Sequence, residues 1–439
     1  MSLASVAAAI VLVLSLAGAA VIIRREARAS GLGLVHPGVA WLALHVVFFG
    51  IGGAALALTD GAGLQAVYTG LAAAAFAGGL GASAALARRR GADSAPDGSA
   101  DAMLDGGART DVRWLNAIVL AVLSILLVVP TLLRTGLPFL VADITGSRVE
   151  LTGLLVQPLR VALPAIAASA VTLVAFAGRS TSGDPPSAGR ARAVVLAVAM
   201  VGAIGVFDLL LASRYFIAEL AAAVMIGWLL GGGRLRARAI AVVIVGGLAV
   251  FAGIGLFRAY GPAQGRELSF LLERTVNRVL MVQPQTLDAI MTAVPADHPF
   301  FLGLGWMRRL GPLLGQDIPN LGYWIYPQVV GDPQVVAGYA APGLIGEAWA
   351  NFGWAGLVLF AALGVVADRL AALIRLCRGQ ADRVAATLLV LFLARTHALG
   401  LGGLTELVVL VAAWRLLVAR PAGLDRSLRA TLRWRAGGA

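Results

Sequence analysis

The run from Leu3 to Ile23 contains no charged residue, and Arg24, Arg25 and Arg28 follow it closely. A backbone in lipid has to satisfy its own N–H and C=O groups, so a run of this length and character reads as a membrane-spanning helix. The pattern recurs along the chain. About eleven spans can be marked, at 3–23, 36–58, 64–87, 114–133, 151–178, 193–213, 215–232, 239–258, 342–368, 384–398 and 404–419. Composition agrees: 59% of the 439 residues are hydrophobic, 13% are charged and the mean hydropathy is +0.86. The expected fold is an all-α polytopic membrane protein, one membrane domain over 1–439. No basic region precedes Leu3, so the first run is expected to be a retained helix with its N-terminus outside, not a cleaved signal.

The net charge is +12, lysine is absent, and arginine supplies every basic side chain apart from histidine. The excess does not imply nucleic acid, because most of it falls in short loops. Arg24/Arg25/Arg28, Arg88/Arg89/Arg90, Arg179/Arg190/Arg192, Arg234/Arg236/Arg238, Arg375/Arg378/Arg383 and the tail from Arg420 to Arg435 alternate onto one side. Positive charge marks the cytoplasmic side of short loops, so this side is expected to be the cytoplasm. The 88–113 connection, rich in Gly, Ala, Asp and Ser from Gly91 to Thr110, is expected to be a flexible cytoplasmic loop. The single cysteine, Cys377, excludes an intrachain disulfide and a cysteine-rich metal site.

Three outward segments carry arginine against this pattern: Arg134 to Glu150, the turn at Arg214, and the long segment 258–341. The last exceeds the length at which the charge rule applies. Within it Arg266, Phe270, Arg274 and Arg278 recur every fourth residue, which reads as one helix face. The remainder, through HPFFLGLGW and DIPNLGYWIYP, is dense in Gly, Pro and aromatics. Short helices and turns packed on the membrane surface are expected there, with Trp and Tyr at headgroup level.

Charges inside the spans fall in the outer half of the bilayer. Arg160 lies about 27 Å up its span, Asp208 late in an outward helix and Glu219 about a turn inside the next. Arg395 and His397 lie in the outer half of the tenth span, and Glu406 opens the eleventh. Counting about 20 residues back from Ala367 covers roughly 30 Å and lands on Glu347. A carboxylate at that depth is expensive unless it is used or paired. Each charge taken singly reads as a side chain snorkelling to the interface, and Glu347 as half of a structural ion pair. Together they suggest a polar cavity open to the outside, with Arg160–Glu347 and Arg214–Glu219 as candidate pairs.

The chain has no HExxH, no P-loop, no Cys/His cluster and no paired acids in an outward loop. Zinc, a divalent metal and nucleotide hydrolysis are therefore unsupported, and no cofactor is expected. Outward arginines and an interfacial acid remain. Guanidinium binds phosphate by bidentate hydrogen bonds and stabilises a pyrophosphate leaving group, and a carboxylate can take a proton from a sugar hydroxyl. Glycosyl transfer from a lipid-linked pyrophosphate suits this set.

The arginine-bearing outward loop followed by PGLIGEAWANFGWAGLVLF resembles bacterial polysaccharide repeat-unit polymerases of the Wzy type. GLPFLVADITGSRVE, Arg214 between two helices and IPNLGYW fit the same pattern, which covers about Gly136 to Arg415. The resemblance implies a metal-independent glycosyltransferase of GT-C-like architecture in the cytoplasmic membrane, acting on its outer face. The substrate would be an undecaprenyl-pyrophosphate-linked oligosaccharide, with a flippase and a chain-length regulator as further partners. The implied catalytic residue is Glu347. The implied substrate-binding residues are Arg148, Arg160, Arg214, Arg258, Arg274, Arg278, Arg395 and Asn351. Such polymerases often carry an outward histidine; His298 is the candidate by position, although Asp297–His298 reads as turn chemistry.

A sibling enzyme, a transporter and a structural subunit are the competing alternatives. A ligase would move glycan from the same carrier to another acceptor. A transporter or flippase of lipid-linked sugars would distribute charge through both leaflets and show an internal repeat. A structural subunit would not need arginines at phosphate depth.

Overall fold

The computed structural model describes residues 2–89, 156–177, 188–210, 214–233, 280–306, 319–330, 340–377 and 380–400, with a few isolated positions besides. Among them there are helices and turns and no strand. The chain divides into two compact units.

The first unit takes in residues 1–96, 266–375 and 392–404. Helix α1 is Leu3–Ala29, capped by the Ser2 hydroxyl, which accepts from the Ser5 N–H at 3.0 Å. Helix α2 is Pro37–Thr59, interrupted by one π turn at Val46–Gly50. Its first turn has Pro37 after a cap made by the His36 ring, whose Nδ1 accepts from the Gly38 N–H at 3.1 Å. Helix α3 is Gly63–Arg89. In the second unit, residues 97–265, 376–391 and 405–439, α4 is Val156–Ala177, α5 is Ala188–Leu210 and α6 is Arg214–Leu230. Returning to the first unit, α7 is Val282–Ala293, α8 is Gly343–Phe352 and α9 is Leu357–Leu376. Helix α10, Gln380–Leu399, contributes its beginning to the second unit and its end to the first.

Five helices are long and apolar enough to cross a membrane: α1, α2, α3, Ala191–Leu209 within α5, and Gly343–Leu376, which joins α8 to α9. They match five of the expected runs. Three more runs form α4, α6 and α10, and the runs at 114–133, 239–258 and 404–419 lie outside the described residues. So do the 88–113 connection beyond Arg89, the arginine face at 266–278 and Glu406.

Glycine sets the helix packing of the first unit. A Cβ on Gly79 of α3 would collide with the Ala361 carbonyl of α9, and one on Gly364 with the Phe76 carbonyl. Backbones that close pack by dispersion where water offers no hydrophobic drive. The pairs 68/353, 76/364 and 83/368 rise together, so α3 and α9 run parallel. The Ser83 hydroxyl donates to Asp368 Oδ2 at 2.6 Å beside this seam. Arg88 at the end of α3 bonds Glu26 near the end of α1 at 2.7 Å, so α1 is parallel as well. Arg24, Arg25, Arg28, Arg88, Arg89 and Arg375 thus share one end of the unit, as the alternation of basic clusters requires.

The segment expected to rest on the membrane surface instead enters the core. Leu287 and Ile290 of α7 are fully buried with Phe49, Tyr68, Leu344 and Ile345, and the Trp349 indole donates to the Val294 carbonyl at 3.0 Å. In the second unit, Ala168, Ala223 and Leu391 form a small core, and Thr172 meets Thr387 at 3.1 Å. Arg383 donates to the Leu230 carbonyl at 2.8 Å and so caps the end of α6.

Gly364→Leu should force α3 and α9 apart and cost about 1–3 kcal/mol, as overpacking does. A clearly lower thermal midpoint in detergent, with Gly78→Leu unaffected because nothing lies within 4 Å of that Cβ, is the expected result. A second test concerns His36, whose ring burial holds down to about 4, with Glu26 opposing and Arg375 reinforcing the shift. The folded pKa lies below the unfolded value of 6.5, so the unfolded state takes the proton first and stability falls as pH drops from 6.5 towards 4. Moving from about pH 7.5 to about pH 5 should cost wild type about 1–2 kcal/mol more than His36→Asn, which keeps a capping acceptor. Thermal midpoints of both proteins at the two pH values measure the difference.

Candidate functional site

Helix α8 is shaped at both ends by glycines with positive φ. Gly343, at φ 57°, lies against the His397 carbonyl, where any Cβ would collide. Gly353, at φ 55°, ends the helix with the Phe300 ring against it. The expected single span 342–368 is therefore two helices with a 3₁₀ turn, Gly353–Gly356, between them. Glu347 lies on α8, ahead of this break. Every residue from Gly343 to Asn351 is buried except Glu347, which is half-buried.

The loop 301–306 folds onto the end of α8. Phe301 and Leu302 donate their N–H groups to the Ala350 and Asn351 carbonyls, each at 3.0 Å. Asn351, 1% exposed, accepts at Oδ1 from the N–H groups of Gly303 at 2.9 Å and Gly305 at 3.3 Å. Its Nδ2 donates back to the Glu347 carbonyl at 2.8 Å. The loop then delivers Trp306, whose indole N–H donates to Glu347 Oε2 at 2.9 Å. The indole rests edge-on against Phe352, with ring centroids 5.3 Å apart. Opposite, Gly400, at φ 63°, leaves room that a Cβ would fill against the Glu347 carboxyl. The carboxylate is thus held by an indole and walled by a residue without a side chain.

Behind this site the end of α10 enters an aromatic cluster. Trp41 stacks on Phe76 at 3.9 Å and on His45 at 4.7 Å, and its ring also lies 4.7 Å from His397. His397 Nε2 pairs with the Trp41 carbonyl at 3.0 Å and His45 Nε2 with the Thr69 carbonyl at 3.1 Å. Arg395, on the same helix, is 6% exposed.

Of the expected site residues, the structure brings Glu347 and Asn351 together. It spends the Asn351 amide on the loop, so Asn351 positions the site. Arg395 is buried on α10, five residues before Gly400. Arg160 lies on α4 and Arg214 opens α6, but their side chains lie outside the described set, as do Arg148, Arg258, Arg274 and Arg278 altogether. Asp208 and Glu219 are buried in the second unit. His298 pairs its Nδ1 with the Pro299 carbonyl at 2.6 Å and stacks its ring on Phe301. Among the described residues no cluster of three His, Cys, Asp or Glu could hold a metal ion.

Sequence reasoning passed over Trp306, Gly303, Gly305 and Gly400. The signal lay in the phrase GLGW, two glycines offering backbone donors ahead of a large donor side chain, and in the i, i+4 spacing of Glu347 and Asn351.

Asn351→Ala removes three hydrogen bonds and leaves buried partners behind, so it should cost about 2–4 kcal/mol. Trp306→Phe keeps the aromatic packing on Phe352 and should cost about 1–2 kcal/mol. Thermal midpoints, with limited proteolysis at 301–306 as a local readout, should rank the two in that order. Comparison with known proteins finds no matching family model, no matching curated protein and no matching solved structure.

Proposed function

We propose that this chain is a membrane glycosyltransferase of the outer face that polymerises oligosaccharide units carried on a polyprenyl pyrophosphate. The observation that carries the reading is the setting of Glu347. It is a half-buried carboxylate in a wall of apolar residues, fixed by Trp306, on a short helix that precedes the apolar α9. The Trp306 indole N–H donates to its Oε2 and so orients the carboxylate.

In the reaction, the hydroxyl oxygen of the incoming unit attacks the anomeric carbon of the growing glycan. The bond from that carbon to the pyrophosphate oxygen breaks, and the pyrophosphate leaves with the electron pair. The hydroxyl proton passes to the Glu347 carboxylate. Arg148, Arg214 and Arg258, with Arg160, Arg274, Arg278 and Arg395 in support, would hold the pyrophosphate and offset the charge that develops on it. No step needs a metal ion, because guanidinium groups supply the positive charge.

The test is the initial rate of polymer formation from purified lipid-linked repeat units, with folding checked separately. A base role predicts that Glu347→Gln, which keeps shape but cannot take a proton, loses roughly 10²–10⁴ in rate. Arg→Lys at 148, 214 or 258 keeps charge but loses planar two-donor geometry, and should cost about 10- to 100-fold, the worth of one charged hydrogen bond. A ladder of products identifies a polymerase. A single transfer to another acceptor identifies a ligase. A folded Gln variant at half the wild-type rate or better removes the base role.

A further inference from the structure

Helix α1 buries one side against α3, through Ala8, Leu12, Ala19, Ile23 and Ala27. Its other side is open. Leu3, Ala7, Ile10, Leu14, Ala17 and Val21 are exposed and recur every three or four residues, so they form one stripe. From Leu3 to Val21 the stripe runs about 27 Å, close to one hydrocarbon thickness. The same stripe continues without a break into Arg24, Arg25 and Arg28. Val21 and the three arginines line an open groove of about 480 Å³.

Two of the three charges on this groove, those of Arg24 and Arg28, are not neutralised in place. Glu26, the acid within the cluster, is 4% exposed and bonded to Arg88 at 2.7 Å and to Arg25 at 2.8 Å. Arg24 and Arg28 have no carboxylate partner among the described residues. Cations in the last turn of a helix suit its dipole, but that would hold for any face. Here they fall on the one face whose preceding turns are apolar and open.

We infer that α1 binds an anionic phospholipid, its headgroup phosphate held by Arg24 and Arg28 with Arg25 beside them and its acyl chain laid along Val21, Ala17 and Leu14. Guanidinium groups recognise phosphate oxygens bidentately, and the apolar stripe below selects a phosphate that carries a chain. A free phosphate would use the arginines alone. The inference is independent of the glycosyl-transfer reading and concerns the opposite end of the first unit's helices from the Ser2 cap.

The experiment uses the full chain in phosphatidylcholine vesicles containing a trace of phosphatidylglycerol with a diazirine on its acyl chain. Photolabelled peptides should map to residues 14–21. A phosphatidylcholine probe of the same chain should label them about 30-fold less, since Arg24 and Arg28 each contribute about 1 kcal/mol near an anionic lipid. Arg24→Gln/Arg28→Gln spares the Arg25–Glu26–Arg88 bonds and should lose the preference. Arg89→Gln/Arg192→Gln removes the same charge elsewhere and should keep it. Equal labelling by both probes, or an unchanged preference in Arg24→Gln/Arg28→Gln, overturns the inference. Displacement of the lipid by inorganic pyrophosphate at millimolar concentration would also overturn it, by assigning the arginines to a soluble anion.

Discussion

A helix that stops inside an apolar assembly leaves carbonyl groups with nothing to bond, and much of the first unit follows from how this chain answers that problem at Gly353. The Ala350 and Asn351 carbonyls are taken by the N–H groups of Phe301 and Leu302, and the Gly353 carbonyl by the Tyr68 hydroxyl at 3.2 Å. The first two partners lie in a segment that arrives from far along the chain. Once it is bound there, Asn351 can collect the N–H groups of Gly303 and Gly305, and Trp306 reaches Glu347. The stop in the backbone and the setting of the acid are one arrangement. A continuous helix through 353 would need none of these donors and would hold no indole over the carboxylate.

The long apolar runs were legible in the sequence because lipid removes every alternative to the helix, so length and charge placement suffice. The shared end of Arg24, Arg88 and Arg375 was legible for the same reason. The break at Gly353 was not. The residues around it, ANFGWAGL, stay apolar, and a glycine within such a run usually continues the helix. The break becomes necessary only when the Phe300 ring and the Tyr68 hydroxyl crowd Gly353 and Gly356 from outside, which is tertiary information. The burial of α7 was hidden likewise. Its apolar residues at 287, 290 and 291, and Val294 just after it, read equally well as facing lipid headgroups or protein.

At the candidate site, Glu347 was legible because an acid at the edge of an apolar slab is costly by itself. Asn351 was legible as important but not in its role, since an amide serves a ligand and a backbone with the same two groups. Trp306 could not be joined to Glu347 without knowing where the loop docks. His45 and His397 show the opposite case. Each is unremarkable alone in the sequence, and the fold sets them 5.5 Å apart around Trp41.

The π turn at Val46–Gly50 holds one residue more than an α-turn would, and everything after it in α2 is rotated accordingly. That surplus residue sets the angular register between the two halves of the helix. Before it, Trp41 and His45 face the aromatic cluster. After it, Gly52 faces the Leu280 carbonyl, where only a glycine fits. Losing one residue from 46–50 would restore a regular helix and swing the second half by about 100°. A side chain would then replace Gly52 against Leu280, at the foot of the segment that leads to α7 and the 301–306 loop. The spacing of this one turn therefore acts as a frame for the whole outward segment, in the way a single base sets a reading frame.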